Sequence, residues 1–408
     1  MKHDLLITGI SQLVTADGPG PKRGRAMRAI KLVEHAAIAI SSGVITWTGK
    51  ASGWSDEAAS TVDIGNRAVV PGLIDPHTHA VWAGDRLNDF EARTSNVTYE
   101  AILATGGGIR STIRATAAAS LDDLVALAKP RLDSLIASGA TTIEIKSGYG
   151  FTPAAELSML EAIRTLSKTV QARIAPTLLI HIPPANQSER LDYVAHVCND
   201  LIPVTAKRKL ATSVDVFVEK ESWTVAEAEL ILRAAIEHGL AVRLHSDQFH
   251  SIGGVELGIR FNALSIDHLE ACGSEQIAQL AASSTISTLL PGVSLHLGTP
   301  AAPGRELIDA GAAVAIGTDL NPGSAPLFSA STATALAVRL NGLTAQEALV
   351  AGTVNAACAL GLTNAGRIEP GCPADFLVLH SSDWRDLSYT LGANPVRDVW
   401  IGGRRLNK

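Results

Sequence analysis

Charge is scarce in this 408-residue chain, at 18% of residues against 46% hydrophobic, so it carries enough apolar material to fold and disorder is excluded as its dominant state. Basic residues are outnumbered, 34 against 40 acidic, and no Lys/Arg block interrupts the net charge of −6. A counterion-release footprint for nucleic acid is therefore missing, and a small-molecule partner fits better. Long apolar runs are missing too. The most charge-poor stretch, 281–304, contains Ser, Thr, His, Gly and prolines and cannot be a bilayer helix. The opening MKHDLLITGI has a short apolar run broken by Gly9, neither a secretory core nor a span, so the expectation is a cytoplasmic protein with no membrane partner. The four cysteines, Cys198, Cys272, Cys358 and Cys372, are far apart with no Cys-x-x-Cys pair. That excludes a zinc ribbon and a disulfide framework and leaves packed, reduced thiols.

What is present is alternation. Both ends are β-rich: short runs at Leu5–Thr8, Ala36–Ile40, Val44–Thr48 and Ala59–Ile64, then Ala374–Leu379 and Val396–Ile401 followed by a Gly402-Gly403 hairpin turn. The middle alternates apolar runs with amphipathic stretches, placing strands at Ala68–Asp75, Ala140–Lys146, Val170–Ile180, Val214–Val218, Leu240–Leu244, Ala263–Asp267, Thr285–Leu290 and Ala312–Thr318. Helices are expected between them, among others over Leu121–Ser138, Pro153–Ser167, Val225–His238, Gly254–Arg260 and Ser274–Ala282. Eight strands in alternation predict an α/β fold, a (β/α)8 TIM barrel, with a doubly wound open sheet as the competing topology. The division expected is 1–66 and 362–408 as the two parts of a small β-sandwich domain built from both termini, around a barrel over 67–361.

The chemistry-bearing residues sit where the apolar runs end, which in a barrel is the catalytic face. In Asp75-Pro76-His77-Thr78-His79 the two imidazoles are two residues apart, so on an extended chain both project to one side and reach one ion. His245 ends the fifth run and Asp319 the eighth, adding a third imidazole and a carboxylate. Three neutral nitrogens and one carboxylate suit a single divalent metal, Zn²⁺ or Fe²⁺, with room for a water. Gly106-Gly107-Gly108 is not followed by Gly-Lys-Ser/Thr and is no phosphate loop; a lid or a plain turn is expected there.

In this arrangement the chain resembles the amidohydrolase superfamily, whose barrels carry His-x-His on strand one, His on strands five and six and Asp on strand eight, here His77, His79, His245, His268 and Asp319. The runs PGLIDPHTHAVWAGDR, TGGGI, EIKSGYG, LHSDQF, DHLE, LLPG and GTDLNPGSAP are most similar to those of its imidazolonepropionase branch. The resemblance implies His77, His79, His245 and Asp319 as metal ligands and Arg86, Tyr149, His181, Gln248, Asn321, Gly323 and Ser324 as substrate contacts. The residues suit a carboxylate-bearing cyclic amide. The Arg86 guanidinium can clamp a carboxylate, Tyr149 offers a phenol, and Asn321-Pro322-Gly323-Ser324 follows Asp319 directly. A solvated arginine, a packed loop aromatic and an ordinary Asn-Pro-Gly turn are the plainer readings.

The reaction implied is hydrolysis of the ring amide of 4-imidazolone-5-propanoate, with His268 near the metal as oxyanion stabiliser and Asp319 as proton carrier; the alternative for His268 is a further ligand. Gln248 stands where deaminases of the superfamily place the proton-carrying glutamate of His-x-x-Glu. An amide cannot take and give a proton in turn, so a deaminase is the runner-up along with other cyclic amide hydrolases. A second metal would need Glu219 or Lys220, at the end of the fourth strand, where binuclear relatives carry their bridging group. The oligomeric state is left open, with a homodimer as the candidate.

Overall fold

The computed structural model describes residues 2–16, 18–95 and 106–406; Thr105 of the TGGGI run lies outside them. Among these residues fifteen strands form two sheets. The first seven-stranded sheet combines the ends of the chain: β1 (Lys2–Ala16), β2 (Ile30–Ser41), β3 (Val44–Lys50) and β4 (Glu57–Pro71) with β13 (Phe376–Leu379), β14 (Val396–Ile401) and β15 (Arg404–Arg405). Alternate residues of β2 serve opposite faces. Ala36, Ile38 and Ile40 join Ile7, Ile45, Phe376 and Trp400, whereas Ala37 and Ala39 join Leu6, Trp47 and Trp54. Gly402 and Gly403, both at positive φ, turn β14 into β15 as expected.

The second sheet holds the eight barrel strands in sequential order, all parallel: β5 (Leu73–Asp75), β6 (Ala140–Lys146), β7 (Arg173–Ile180), β8 (Ser213–Val218), β9 (Ala241–Ser246), β10 (Ser265–His268), β11 (Ile286–Leu289) and β12 (Ala313–Ile316). Helices Leu121–Ala137, Pro153–Thr169 and Val225–Glu237 cover it within one or two residues of their expected limits. Ser120 and Thr224 close capping boxes with Asp123 and Glu227, which is why the first and third of these helices begin where they do.

The strand expected over Ala68–Asp75 is in fact two. Residues 68–71 continue β4 in the terminal sheet, and Pro71, which has no N–H to give, ends it. Gly72 then passes the chain into the barrel so close to β6 that a Cβ there would lie 2.3 Å from Thr141 Oγ1.

Among the described residues no extended ladder joins β5 to β12. The barrel closes just beyond their ends: Asp319 N–H donates to the His77 carbonyl at 3.0 Å, and His79 N–H to the Leu320 carbonyl at 2.9 Å. Below this, both oxygens of Asp75 accept from Thr318, backbone at 3.0 Å and hydroxyl at 2.6 Å. Barrel closure thus rests on the segment bearing the His-x-His pair and the segment bearing Asp319.

Candidate active site

His77, His79, His245 and Asp319 are at most 3% exposed and converge inside the mouth of the barrel. Each of the three imidazoles offers a nitrogen within 4.8 Å of the other two. Asp319 Oδ1 is 3.2 Å from both His77 Nε2 and His79 Nε2, and His245 Nε2 is 3.5 Å from His79 Nε2. His77 Nε2 and Asp319 Oδ1 make no hydrogen bond among the described residues, though both are buried. Buried polar atoms that converge without satisfying one another are a donor set for a cation, and nitrogen with one carboxylate oxygen fits a divalent ion.

The backs of the rings set their tautomers. His77 Nδ1 is 2.7 Å from Asp267 Oδ2 and His245 Nδ1 3.0 Å from Asp215 Oδ1, so a proton on each Nδ1 leaves Nε2 as a lone pair toward the centre. Behind these acids Lys146 Nζ donates to Asp215 and Glu144, each at 2.8 Å, and Arg243 reaches Asp267 at 3.0 Å and the Pro76 carbonyl at 2.6 Å. None of these charged side chains is exposed. Burial and Arg243 push the Lys146 ammonium down, but Asp215, Glu144 and Asp267 outweigh them and keep it charged. Burial also depresses the His79 and His245 imidazoles, the second despite Asp215. His77 goes the other way: burial and Lys146 lower it, yet Asp267 and Asp319 raise it to about 9, so its Nε2 offers a lone pair once a cation displaces the proton it shares with Asp319. Burial would raise Asp319, but His77 and His79 hold it well below the usual carboxylate range.

Above the centre, Asn321 spends its side chain within its own turn. Its Nδ2 donates to Asp319 Oδ2 at 2.9 Å, while its Oδ1 accepts from the backbone N–H of Gly323 and Ser324, each at 2.8 Å. It thereby aims Asp319. Gly323 makes room for Arg86: a Cβ would stand 3.0 Å from the Arg86 Nη1. Arg86 donates from Nε to Asp89 Oδ2, which also accepts from Gly108 N–H at 2.9 Å. The Arg86 side chain is 12% exposed, with no Nη hydrogen bond among the described residues.

His181 stacks on His79 at 5.4 Å between ring centroids, and Tyr149 lies 5.7 Å from His79 and 5.5 Å from His181. Burial pushes the Tyr149 phenol up, which keeps it protonated, and pushes His181 down to about 3, which keeps it neutral. His268 is 5.3 Å from His245 and 5.7 Å from His77 by ring centroids, and its Nδ1 is 3.4 Å from Glu270 Oε2. Gln248 is half-buried on the loop after β9.

The amidohydrolase family model matches residues 68–406. Imidazolonepropionases of Deinococcus deserti and Deinococcus radiodurans are 61% and 59% identical to the chain, each alignment covering 99% of it and the whole of the relative. The chain belongs to the imidazolonepropionase branch of the amidohydrolase family. A zinc-bound adenosine deaminase from Xanthomonas campestris shares the fold with a TM-score of 0.74 at 20% identity, covering 99% of this chain and 93% of that one.

Set in this family's frame, the charged residues that spacing alone did not reveal are those behind and around the ligands: Asp215, Asp267, Glu144, Arg243, Asp75, Asp89, Glu156 and Glu270. The signal available was a charge inside an apolar strand, as in Ser-Val-Asp-Val-Phe-Val and Thr-Thr-Ile-Glu-Ile-Lys. A second metal finds no support at the end of β8. Both Glu219 oxygens are taken by N–H groups of Phe249, His250 and Lys220 and by the His250 ring, and Lys220 is exposed.

Proposed function

We propose that the chain hydrolyses the ring amide of 4-imidazolone-5-propanoate to N-formimidoyl-L-glutamate, in histidine degradation and in the cytoplasm, with one Zn²⁺ or Fe²⁺ held by His77, His79, His245 and Asp319. The observation that carries this reading is the convergence of three buried imidazoles and one carboxylate, two of the rings backed by acids, near a guanidinium whose Nη groups make no hydrogen bond among the described residues. A bound divalent ion supplies Lewis acidity and a hydroxide-like nucleophile near neutral pH.

The side chains do the rest. Arg86 takes the propanoate through its Nη groups, because Nε is occupied by Asp89. Tyr149, kept protonated, donates to the substrate, and neutral His181 offers it a ring nitrogen. Asp319, an acceptor braced by Asn321, takes the proton released as water adds to the carbonyl carbon. It returns that proton to the ring nitrogen as the C–N bond breaks, so the elements of one water are added and nothing else leaves. His268, with Glu270 3.4 Å from its Nδ1, donates to the oxygen that gains charge. Gln248 faces the substrate in this reading but cannot relay protons, which favours ring opening over deamination.

Purified protein is to be tested for metal by elemental analysis and for loss of imidazolone absorbance on fresh substrate. Turnover with one equivalent of metal is expected. A metal-replete protein that leaves the imidazolone intact but releases ammonia from heterocyclic amines would overturn the proposal.

A further inference from the structure

Two buried glutamates away from the metal centre spend their carboxylates on the backbone of the loops that carry Tyr149 and Gln248. Glu156, 2% exposed, stands in the first turn of helix Pro153–Thr169. Its Oε2 accepts from Gly148 N–H at 2.8 Å, and its Oε1 from Gly150 N–H at 2.7 Å and Phe151 N–H at 2.9 Å. These donors lie on either side of Tyr149. The loop is not a conformation the chain adopts freely, since Gly148 is at φ +107° and Phe151, which is not glycine, at +66°. Gly150 passes so close to the helix that a Cβ would lie 2.4 Å from Glu156 N. The Tyr193 hydroxyl donates to the Phe151 carbonyl at 2.8 Å and pins the far end.

Glu219, 4% exposed at the end of β8, does the same for the loop after β9. Its Oε2 accepts from Phe249 N–H at 2.9 Å and His250 N–H at 3.2 Å, and its Oε1 is 2.9 Å from His250 Nδ1. These bonds begin one residue after Gln248, and one residue before it Asp247 is at φ +54°. Hydrogen bonds to a carboxylate are the strong kind, and they offset the cost of left-handed φ on both sides of Tyr149 and just before Gln248.

We infer that Glu156 and Glu219 are positioning residues that set substrate affinity by clamping the loops of Tyr149 and Gln248, without touching the metal or the substrate. The inference rests on the reading above, in which those two side chains face the substrate. A clamp differs from a merely stabilising acid in what its loss does: the loop relaxes, KM rises, and the metal stays.

The test uses the metal-replete full chain and the variants Glu156→Gln, Glu219→Gln, Tyr149→Phe, Gln248→Ala and the pair Glu156→Gln/Tyr149→Phe, with KM, kcat, metal content and melting temperature measured for each. Glu156→Gln and Glu219→Gln are each expected to raise KM about tenfold, with kcat within about threefold and metal unchanged. The pair should raise KM little beyond Tyr149→Phe alone, because the clamp acts through that phenol. If Tyr149→Phe and Gln248→Ala raise KM while both glutamine variants keep the parental value, the clamp is wrong and the site reading stands. If Tyr149→Phe and Gln248→Ala leave KM unchanged, the site reading itself fails. Loss of metal in the glutamine variants, or fully additive effects in the pair, also overturns the clamp. Should Glu156→Gln not fold, Glu156→Asp, which keeps the charge on a shorter arm, is expected to give the same KM rise with metal retained, and parental KM there would count against the clamp.

Discussion

Asp215 sits alone among apolar residues in β8, yet it touches both a ligand and the charge network beneath it: His245 Nδ1 at 3.0 Å and Lys146 Nζ at 2.8 Å. Burial alone would raise its pKa, but His245 and Lys146 hold it well below the usual carboxylate range. Asp215→Asn keeps the shape and removes the charge, so His245 loses its fixed tautomer. A 10- to 100-fold weaker metal affinity, roughly, is expected from chelator competition. Arg86→Met should leave metal affinity alone and weaken substrate binding by roughly 2–5 kcal/mol, read as a higher KM. Residues of this scale were unequally legible. His77, His79, His245 and Asp319 stand at the ends of apolar runs and can be picked out by position. Asp215 and Asp267 cannot, because the imidazoles they serve lie 30 and 190 residues away in the chain.

At the scale of elements, the alternation of apolar runs was enough to place strands such as β6 and helices such as Gly254–Arg260 and Ser274–Ala282 at their observed limits. It failed at Ala68–Asp75, where one apolar run serves two sheets, since hydrophobicity does not record which neighbour a strand pairs with. Gly72 is the crossing point. Gly72→Ala would force its Cβ against Thr141, and a loss of about 1–3 kcal/mol in stability is expected from the urea midpoint, the usual range for overpacking. Because β5 leads directly to His77, the variant should also lose metal affinity. Unchanged stability would mean that the two strands separate more freely than the close contact implies.

For the whole molecule, Glu347 ties the N-terminal segment to the barrel's helical layer. Its side chain is fully buried, accepts from Arg305 and from Arg28, and caps helix Ala345–Ala351 through Thr344 N–H at 2.7 Å. Burial would raise its pKa, but Arg305, Thr344 and Arg28 bring it down to about 2. A folded-state pKa below the unfolded value adds stability that is complete above the unfolded pKa of about 4.3 and is lost as pH falls toward 2. Melting temperature should therefore fall over that window. Glu347→Gln should be less stable at neutral pH and flatter on the acid side, and an unaltered acid slope would remove Glu347 as a contributor.

Periodicity, spacing and composition settle what can be read one stretch at a time: eight strands in alternation with helices, two β-rich ends, and imidazoles and an acid at strand ends. Those features depend on neighbours within a few residues, and every such neighbour is written in order along the chain. The pairing of Asp267 with His77, the closure of the barrel through Asp75 and Thr318, and the grip of Glu219 on the loop of Gln248 come from assembly alone. Each joins atoms on different elements far apart in sequence, and the cost of burying those charges is offset only where those partners meet.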